Sequence, residues 1–216
     1  MIAAAAMMGP MSAGESKGSP SSGGYAKGRA RREQIVATAA EVYGDVGYHG
    51  ASLREIAKRA GISHVGLMYY FPSREALLAA VLERRDEEEA ARTAPTVSSP
   101  RDAMRHLLDL ADRNTRHAGM VELYVRLAAE ATPGDHPAHG YFERHYAMVR
   151  SYVRRALEEL DGQGALRDGV DARAAAVGLV ALMDGLQVQW LTSPDEVDMA
   201  GVLSTFIQQL LREPLA

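Results

Sequence analysis

The chain has 216 residues, of which 47% are hydrophobic, 24% are charged and only 6% are aromatic. This size and composition suit a globular protein with one large or two small cores. There is no cysteine, which excludes a disulfide scaffold and a thiolate metal site and makes a reducing cytoplasm the simplest compartment. Helix-favouring Ala, Leu, Arg and Glu are abundant and β-branched runs are scarce, so we expect an all-α protein.

Charge is unevenly distributed along the chain, although the net charge is only −4. Residues 25–75 hold eight Lys or Arg against five Asp or Glu, a net charge of +3, so the remainder carries −7. A basic segment on an acidic body is typical of proteins in which one small domain contacts phosphates.

The first 26 residues are rich in Gly, Ser, Ala and Pro without an apolar period, which predicts a disordered tail. The apolar run at its start lacks the charged segment of a signal peptide and is too short to span a bilayer. The next pattern predicts a helix over 29–46, with Ile35 and Val42 on its apolar stripe and Gly47 as a candidate C-cap.

Two short helices joined by a glycine follow. Leu53 and Ile56 are spaced for one face of a two-turn helix, which Gly61 can end sharply because glycine accepts a positive φ. Ser63 is a candidate N-cap for the next helix, and Pro72 ends that helix. A short helix, a glycine turn and a second short helix together form a helix-turn-helix, whose second helix enters the major groove of DNA.

The rest of the chain also reads as helical. Ser73 is predicted to cap a fourth helix. We interpret the charged end of that helix, from Asp86 to Glu89, as solvated. Residues 93–100 are predicted to form a linker or loop. Helical patterns follow at about 101–117, 120–131, 139–161, 171–192 and 195–212, separated by Pro and Gly. The apolar stretch within 171–192 carries Arg, Asp and Gln, which favours a buried helix. About nine helices are therefore predicted.

The run from Gly47 to Glu83 resembles the DNA-binding domain of the tetracycline-repressor (TetR) family. The matching motifs are Gly-Tyr after the first helix, S-L-R-E-I-A, A-G-I-S, Y-Y-F and S-R-E-A-L-L, in the order and spacing of the family. Ala51 and Gly66 depart from it, because Thr is common at both positions. After the disordered tail (1–26) that composition predicts, the resemblance implies two domains. They are an N-terminal three-helix DNA-binding domain with the helix-turn-helix (27–73) and a helical effector-binding and dimerisation domain (74–216).

The resemblance also implies which residues contact DNA. Arg54 corresponds to a position that reaches a base edge, and arginine can bind guanine bidentately. Phosphate-contacting positions, which set register, correspond to Ser52, Tyr70 and Arg74. The recognition helix and its cap supply Ser63, His64, Val65, Gly66, Met68 and Tyr69, and the basic arm supplies Arg29, Arg31 and Arg32 for a minor groove or the backbone. The alternative for Arg54 is a solvated helix face, and for Tyr70 a core position.

The second domain is expected to hold a dimer seam, because the last two long helices form a four-helix bundle in the family. The stripe on the final helix supplies Val202, Leu203, Phe206, Ile207 and Leu210. Gly178 and Gly185 in the preceding helix permit close approach. The alternative is that this stripe packs only within its own chain.

An inducer pocket requires apolar positions with a few polar anchors. The candidates are Met104, Leu107, Leu108, Tyr124, Leu127, Val149, Tyr152, Met183, Gln187 and Trp190. We expect Trp190 and Tyr152 to line or border the pocket, where an aromatic face beside an amide suits a flat, mostly apolar ligand. The alternative is an ordinary core in which Trp190 plugs its own bundle.

Catalysis and metal binding find little support. His136, His139 and His145 with Asp135 suggest a metal site, but no supporting pattern accompanies them. There is no G-x-S-x-G, P-loop or G-x-G-x-x-G motif, and neither a cofactor nor a metal is predicted. The leading hypothesis is a cytoplasmic homodimeric repressor, without membrane association, that a small apolar ligand releases from a palindromic operator. The alternatives are a DNA-bound scaffold or activator that recruits a protein, and a helical enzyme with an accidental motif.

Overall fold

The computed structural model describes residues 22–93 and 97–215, and within these ranges the chain forms nine α-helices. They are α1 (Ser22–Gly50), α2 (Leu53–Arg59), α3 (His64–Tyr70), α4 (Arg74–Thr93), α5 (Pro100–Thr115), α6 (Ala118–Glu130), α7 (His139–Gly162), α8 (Ala172–Thr192) and α9 (Met199–Leu210). The all-α prediction is confirmed. In the described part, β-pairing is confined to an isolated bridge between Leu166 and Leu211.

Side-chain caps fix where several of these helices begin. The hydroxyls of Ser52, Ser63 and Ser99 accept the N–H of the residue three positions later, at 3.1, 3.0 and 3.1 Å. Asp171 and Asp198 cap α8 and α9 in the same way. Each cap satisfies an N–H group that the first turn of a helix leaves without a backbone partner.

The first helix is longer than its sequence pattern predicts at both ends. It begins at Ser22, inside the predicted tail, and continues past Gly47 to Gly50. Once a helix is nucleated, each further residue adds a hydrogen bond, so poor helix formers can extend it. The rest of the predicted tail, residues 1–21, and residues 94–96 of the predicted linker lie outside the described residues.

Two hydrophobic clusters form the interior. The first joins α1–α4 to α6 and the start of α7, and contains Tyr43, Leu67 and Phe71 together with Leu127. The second joins α5, α7, α8 and α9. The helix-turn-helix therefore shares its core with α6 and α7, and the predicted domain boundary after residue 73 is not a boundary of this core.

Helix α8 is the one helix in the described ranges that is long and apolar enough to cross a membrane by length and composition. It packs against α6, α7 and α9. Leu179, Met183 and Trp190 face the second cluster, whereas Val177 and Val188 are about half exposed. Its apolar character thus comes from two faces, one toward the core and one outward.

Candidate DNA-binding surface and effector core

The turn between α2 and α3 has the geometry that the sequence predicts. Gly61 adopts φ of 67°, in the left-handed region that favours glycine. Ile56 and Ala57 of α2 and Leu67 of α3 are buried in the first cluster, with α2 packed against α1 and α3 packed against α2. This packing leaves the opposite side of α3 facing solvent.

The outer side of α3 is unusually exposed for its residue types. Val65 is 79% and Tyr69 is 85% solvent-exposed, and His64 is exposed beside them. The ring of Tyr69 lies edge-on to Tyr70, with 5.4 Å between centroids. Large apolar side chains displayed on a short helix indicate a surface that contacts a partner.

Three residues predicted to contact DNA lie closer to the protein interior than expected. Met68 and Tyr70 are half-buried and pack against the first cluster, so Met68 is not part of the exposed start of α3. Gly66 is also half-buried, and a Cβ there would meet Ser63 Oγ at 3.2 Å. Seven residues form only two turns, and the turn that buries Leu67 also draws its neighbours inward.

The basic residues divide by what their side chains contact. Arg54 is exposed on α2. Arg29 is exposed on α1, where its Nε lies 3.7 Å from Glu33 Oε1. Arg31 Nη2 donates to the Gly61 carbonyl at 2.9 Å, and the Arg32 guanidinium lies 4.8 Å from the Phe71 ring centroid. Arg31 and Arg32 thus contact the helix-turn-helix from α1, and their predicted contact with a minor groove or the DNA backbone stays a prediction.

Arg74, a predicted phosphate contact, begins α4 and is half-buried. Burial raises the pKa of the Tyr43 hydroxyl, and the nearby Arg74 guanidinium opposes that rise. Ser52, also a predicted phosphate contact, is exposed while its hydroxyl caps α2. Arg74 thus has a structural neighbour in addition to any role toward DNA.

The charged end of α4 is only partly solvated, because Glu87 and Glu88 are exposed but the other two acids of the run are not. Asp86 and Glu89 are buried at 7% and 8% exposure. Asp86 Oδ2 accepts a hydrogen bond from the Tyr141 hydroxyl at 2.8 Å and lies 2.7 Å from His145 Nδ1. Glu89 is bonded by Arg113 of α5. The two carboxylates join α4, which continues from the DNA-binding helices, to α7 and α5.

The ten predicted pocket residues do not form one group. Tyr124 and Leu127 belong to the first cluster, with the DNA-binding helices. Six others belong to the second cluster, and Leu108 packs against it. Trp190 is 8% exposed and Gln187 fully buried. Tyr152 also borders a surface cleft of about 240 Å³ beside the start of α5.

Two of these residues have buried polar atoms without partners. Among the described residues, nothing hydrogen-bonds the Tyr152 hydroxyl or either amide atom of Gln187. Burial raises the pKa of Tyr152 to about 12. A buried polar group without a hydrogen bond costs about 1–3 kcal/mol, so each such atom requires an explanation.

Comparison with known proteins places both halves of the chain. Residues 35–81 match the family described as bacterial regulatory proteins, tetR family, and residues 100–212 match the BetI-type transcriptional repressor, C-terminal family. The HTH-type transcriptional activator FasR of Mycolicibacterium smegmatis is 30% identical over 191 residues, covering 82% of this chain and 80% of FasR. This chain belongs to the TetR family of transcriptional regulators.

Further relatives agree with this assignment. The HTH-type transcriptional regulator RutR of Escherichia coli is 44% identical over 55 residues, 26% of each chain. A putative transcriptional regulator from Saccharomonospora viridis, solved in complex with choline, has a TM-score of 0.69 at 23% identity, covering 86% of this chain and all of that one. At 23% identity, the similarity to the Saccharomonospora viridis structure shows the fold alone. The chain is thus a DNA-binding transcriptional regulator, like the TetR-family proteins it matches.

Proteins of the TetR family are dimers, and the predicted seam residues of this member lie on two sides of α9. Leu203 and Ile207 are buried inside the protomer, and Val202 and Leu210 are half-buried against the same core. Phe206 is 47% exposed. Leu203 and Ile207 are therefore core residues, because the predicted stripe is wide enough to serve the protomer's own interior.

Helix α8 contributes a second outward-facing row. Ala174, Val177, Gly178, Ala181 and Val188 recur at helical spacing and are all exposed. No described atom of another element lies within 4 Å of a Cβ placed on Gly178 or Gly185. The outer surface of this regulator's last two helices thus carries a row of small and apolar residues on α8 and, on α9, Phe206 among the exposed Thr205 and Gln209.

The histidines proposed for a metal site lie apart. His145 is bonded to Asp86, His139 Nδ1 lies 2.9 Å from the Ala131 carbonyl, and His136 Nδ1 accepts the Ala138 N–H at 3.2 Å. In residues 22–93 and 97–215, no three His, Cys, Asp or Glu side chains are grouped to hold a metal ion. Each histidine has a structural partner instead.

Sequence reasoning missed the polar groups inside this TetR-family fold. Asp184 of α8 accepts hydrogen bonds from the hydroxyls of Tyr146 at 2.8 Å and Tyr124 at 3.4 Å. Burial raises the pKa of Asp184. An acid within an otherwise apolar helix was the available signal. Tyr141 and His145, one turn apart on α7, were the corresponding signal for the buried Asp86.

Proposed function

We propose that this regulator is a homodimeric repressor that a small, mostly apolar molecule releases from a palindromic operator. In this proposal each α3 enters one major groove, with His64, Val65 and Tyr69 facing the bases and Arg54 reaching a base edge. Adjacent half-sites would lie about 34–36 Å apart, or at multiples of that spacing. The same account places the protein in the cytoplasm.

The dimer is supported by the outer face of α8 and α9. Phe206, Val177 and Val188 are about half exposed, and together with the small exposed residues of α8 they offer apolar area for a partner. Small residues along α8 permit a second copy to approach closely. A symmetric pairing through this face would cover the apolar row of both copies.

The effector site is carried by one observation, the unpartnered polar atoms of Gln187 and Tyr152 in the described core. A ligand with an apolar body and one polar group would satisfy those atoms while contacting apolar neighbours such as Met183. Because the core is closely packed in this structure, ligand entry would require α7 and α8 to separate. The regulator would then respond because the two arrangements have different ligand affinities.

The experiment follows operator release and the emission of Trp190, the only tryptophan, in one titration. Candidate ligands are first selected for releasing the protein from operator DNA by fluorescence anisotropy. Gln187→Met is expected to raise the free energy of unfolding of the ligand-free protein, because it removes unpaired buried atoms, and to weaken the ligand response at least tenfold. Gln189→Leu, on the exposed side of α8, is the control.

The opposite result would relocate the site. If releasing ligands left Trp190 emission unchanged and acted equally on Gln187→Met, the pocket would lie elsewhere. If Gln187→Met were instead less stable than the parent protein, Gln187 would have a structural role and the unpaired atoms would not support a ligand.

A second candidate is an activator or DNA-bound scaffold that recruits a protein partner. FasR is named a transcriptional activator, and the apolar α8–α9 face offers a surface for such a partner. Sedimentation velocity separates the two uses of this face. A dimer at micromolar concentration favours self-association, whereas a stable monomer favours a different partner.

A further inference from the structure

A cleft of about 300 Å³ lies at the junction of the DNA-binding helices and the effector helices. Its walls come from α1 and α4 on one side and from α5 and α6 on the other. None of the ten residues predicted for the inducer pocket lines it. The cleft is therefore separate from the core around Gln187 and Tyr152.

One end of this junction cleft presents hydrogen-bond donors. Asn114 lines it and is only 1% exposed, with Oδ1 accepting from Arg85 Nη2 at 3.3 Å. Its Nδ2 is buried and has no hydrogen-bond partner among the described residues. Arg113 also lines the cleft, and its Nε is likewise buried and unpartnered although Nη2 donates to Glu89. Both unpartnered atoms are donors, so they require an acceptor.

Charge at this end also favours an anion. Arg85 and Arg113 share it with one buried carboxylate, Glu89. Glu41 and Glu88 are exposed, and Glu88 is paired with Arg84 at 2.8 Å. The two arginines therefore outnumber the buried acid, and the exposed acids lie where water screens them.

His106 does not add charge on this side. Its Nε2 lies 3.8 Å from Glu89, and burial lowers its pKa. His106 is therefore neutral near pH 7, and the net charge at the donor end of the cleft depends on Arg85, Arg113 and Glu89.

The remaining wall is apolar. It consists of Ala37 and Ala40 of α1, Val81 of α4, Leu110 of α5 and Met120 of α6. A pocket with an apolar wall and a few convergent donors at one end binds amphiphilic molecules in a fixed orientation.

We propose that the junction cleft binds a small organic carboxylate with an apolar body. The carboxylate accepts from Asn114 Nδ2 and Arg113 Nε, and the apolar body lies against Val81, Leu110 and Met120. A volume of about 300 Å³ suits molecules of the size of benzoate or hexanoate. Occupancy biases the placement of α1 and α4, and hence of α3, relative to the effector domain.

The test is isothermal titration of the full-length protein with benzoate and hexanoate, and with benzyl alcohol as the neutral analogue. Saturable binding of at least one carboxylate, at least tenfold tighter than benzyl alcohol, is expected. Asn114→Asp, which replaces the donor by an acceptor at constant size, should weaken carboxylate binding at least tenfold. Ala37→Leu should do the same by filling the cleft from α1 without touching the polar end.

Two controls separate this site from others. Glu143→Gln, on the exposed side of α7, should bind like the parent protein, and so should Gln187→Met. Retained binding in both Asn114→Asp and Ala37→Leu, equal binding of benzyl alcohol, or no saturable binding of either carboxylate would overturn the proposal. Loss of binding in Gln187→Met would assign the carboxylate to the effector core and likewise overturn it.

Discussion

Arginines near the helix-turn-helix perform different tasks because their side chains have different neighbours. Arg54 is exposed on α2, whereas Arg31 donates to the carbonyl of Gly61 in the turn. Arg54→Ala is expected to relax base preference at one position in each half-site, worth about 1–3 kcal/mol against the preferred base. Arg31→Ala should weaken binding to all DNA sequences about equally, because it loosens the turn that positions α3.

Anisotropy with the selected operator and its single-base variants measures both effects. Arg167→Ala, an exposed arginine in the loop between α7 and α8, controls for the loss of one positive charge. An equal loss of affinity for every base variant in Arg54→Ala would show that Arg54 contacts phosphate and not a base edge.

Local features of single residues were predictable from the sequence, and their tertiary neighbours were not. The Ser63 cap and the positive φ of Gly61 depend on chemistry within a few residues, and both are present. The half-burial of Met68 and the bond from Arg31 to Gly61 depend on how α1 and α3 pack. A periodic pattern does not contain that information.

At the scale of helices, α4 is held to α7 by a buried carboxylate and by an exposed ion pair. Asp86 accepts from Tyr141 inside the protein, whereas Glu83 pairs with Arg144 at 2.6 Å where both side chains are accessible. Asp86→Ala should cost about 1–3 kcal/mol because it removes the carboxylate that accepts from the Tyr141 hydroxyl, which then keeps only a 3.4 Å contact with His145 Nδ1. Glu83→Ala should cost about 0–1 kcal/mol, as exposed ion pairs do.

Urea unfolding of Asp86→Ala, Tyr141→Phe and the double variant gives the coupling energy, which we expect to be between about 0.5 and 3 kcal/mol. Glu83→Ala with Arg144→Ala is the matched cycle on the same two helices. Additive effects of Asp86→Ala and Tyr141→Phe would contradict the account of α4 and α7 as joined through Asp86.

Helix α8 gives a prediction on pH. Burial raises the pKa of Asp184 above its ordinary value of 3.8, so the folded state favours the protonated carboxyl. Ionisation of Asp184 therefore destabilises the folded state, and this effect is absent when the pH is below the ordinary pKa of 3.8. The destabilisation grows as the pH rises from 3.8 toward the pKa of Asp184 in the folded state, because Asp184 ionises at lower pH in the unfolded chain than in the folded protein. Asp184→Asn removes this dependence and keeps the size of the side chain.

The free energy of unfolding of Asp184→Asn minus that of the parent protein should therefore be larger at pH 7.5 than at pH 4.5. Asp109→Asn, on the exposed side of α5, is the control. A difference that is constant between the two pH values, or larger at pH 4.5, would contradict the burial of Asp184 as the dominant effect.

Helix positions were largely predictable from caps and periodicity, but the use of each helix face was not. Glu87 and Glu88 of α4 are exposed as the charged run predicts, yet Asp86 and Glu89 of the same run are buried. Their partners come from α5 and α7, far along the sequence. Long-range pairing of this kind leaves only a weak signal, such as a lone polar residue on an otherwise apolar helix face.

At the scale of the whole molecule, the sequence pattern of α9 likewise does not show which residues face the interior and which face outward. Its apolar stripe serves the interior through Leu203 and Ile207 and the outer surface through Phe206. Phe206→Glu is expected to dissociate the dimer and preserve the fold, because the charge is buried only in the assembly. Ile207→Glu would instead disturb the protomer, since Ile207 is fully buried.

Sedimentation velocity and circular dichroism distinguish these outcomes. Met148→Glu, a substitution of a partly exposed apolar residue on α7, is the matched control and should stay dimeric. An unchanged dimer in Phe206→Glu would show that the subunits associate through another surface.

The central claim is that two copies of α3 read DNA as one symmetric unit. The most direct measurement is selection of bound sequences from random duplex DNA by the purified full-length protein. The account predicts an enriched palindrome whose half-site centres are separated by about 10 base pairs or a multiple of that. Enrichment of a single, non-palindromic half-site, or of no sequence at all, would contradict it.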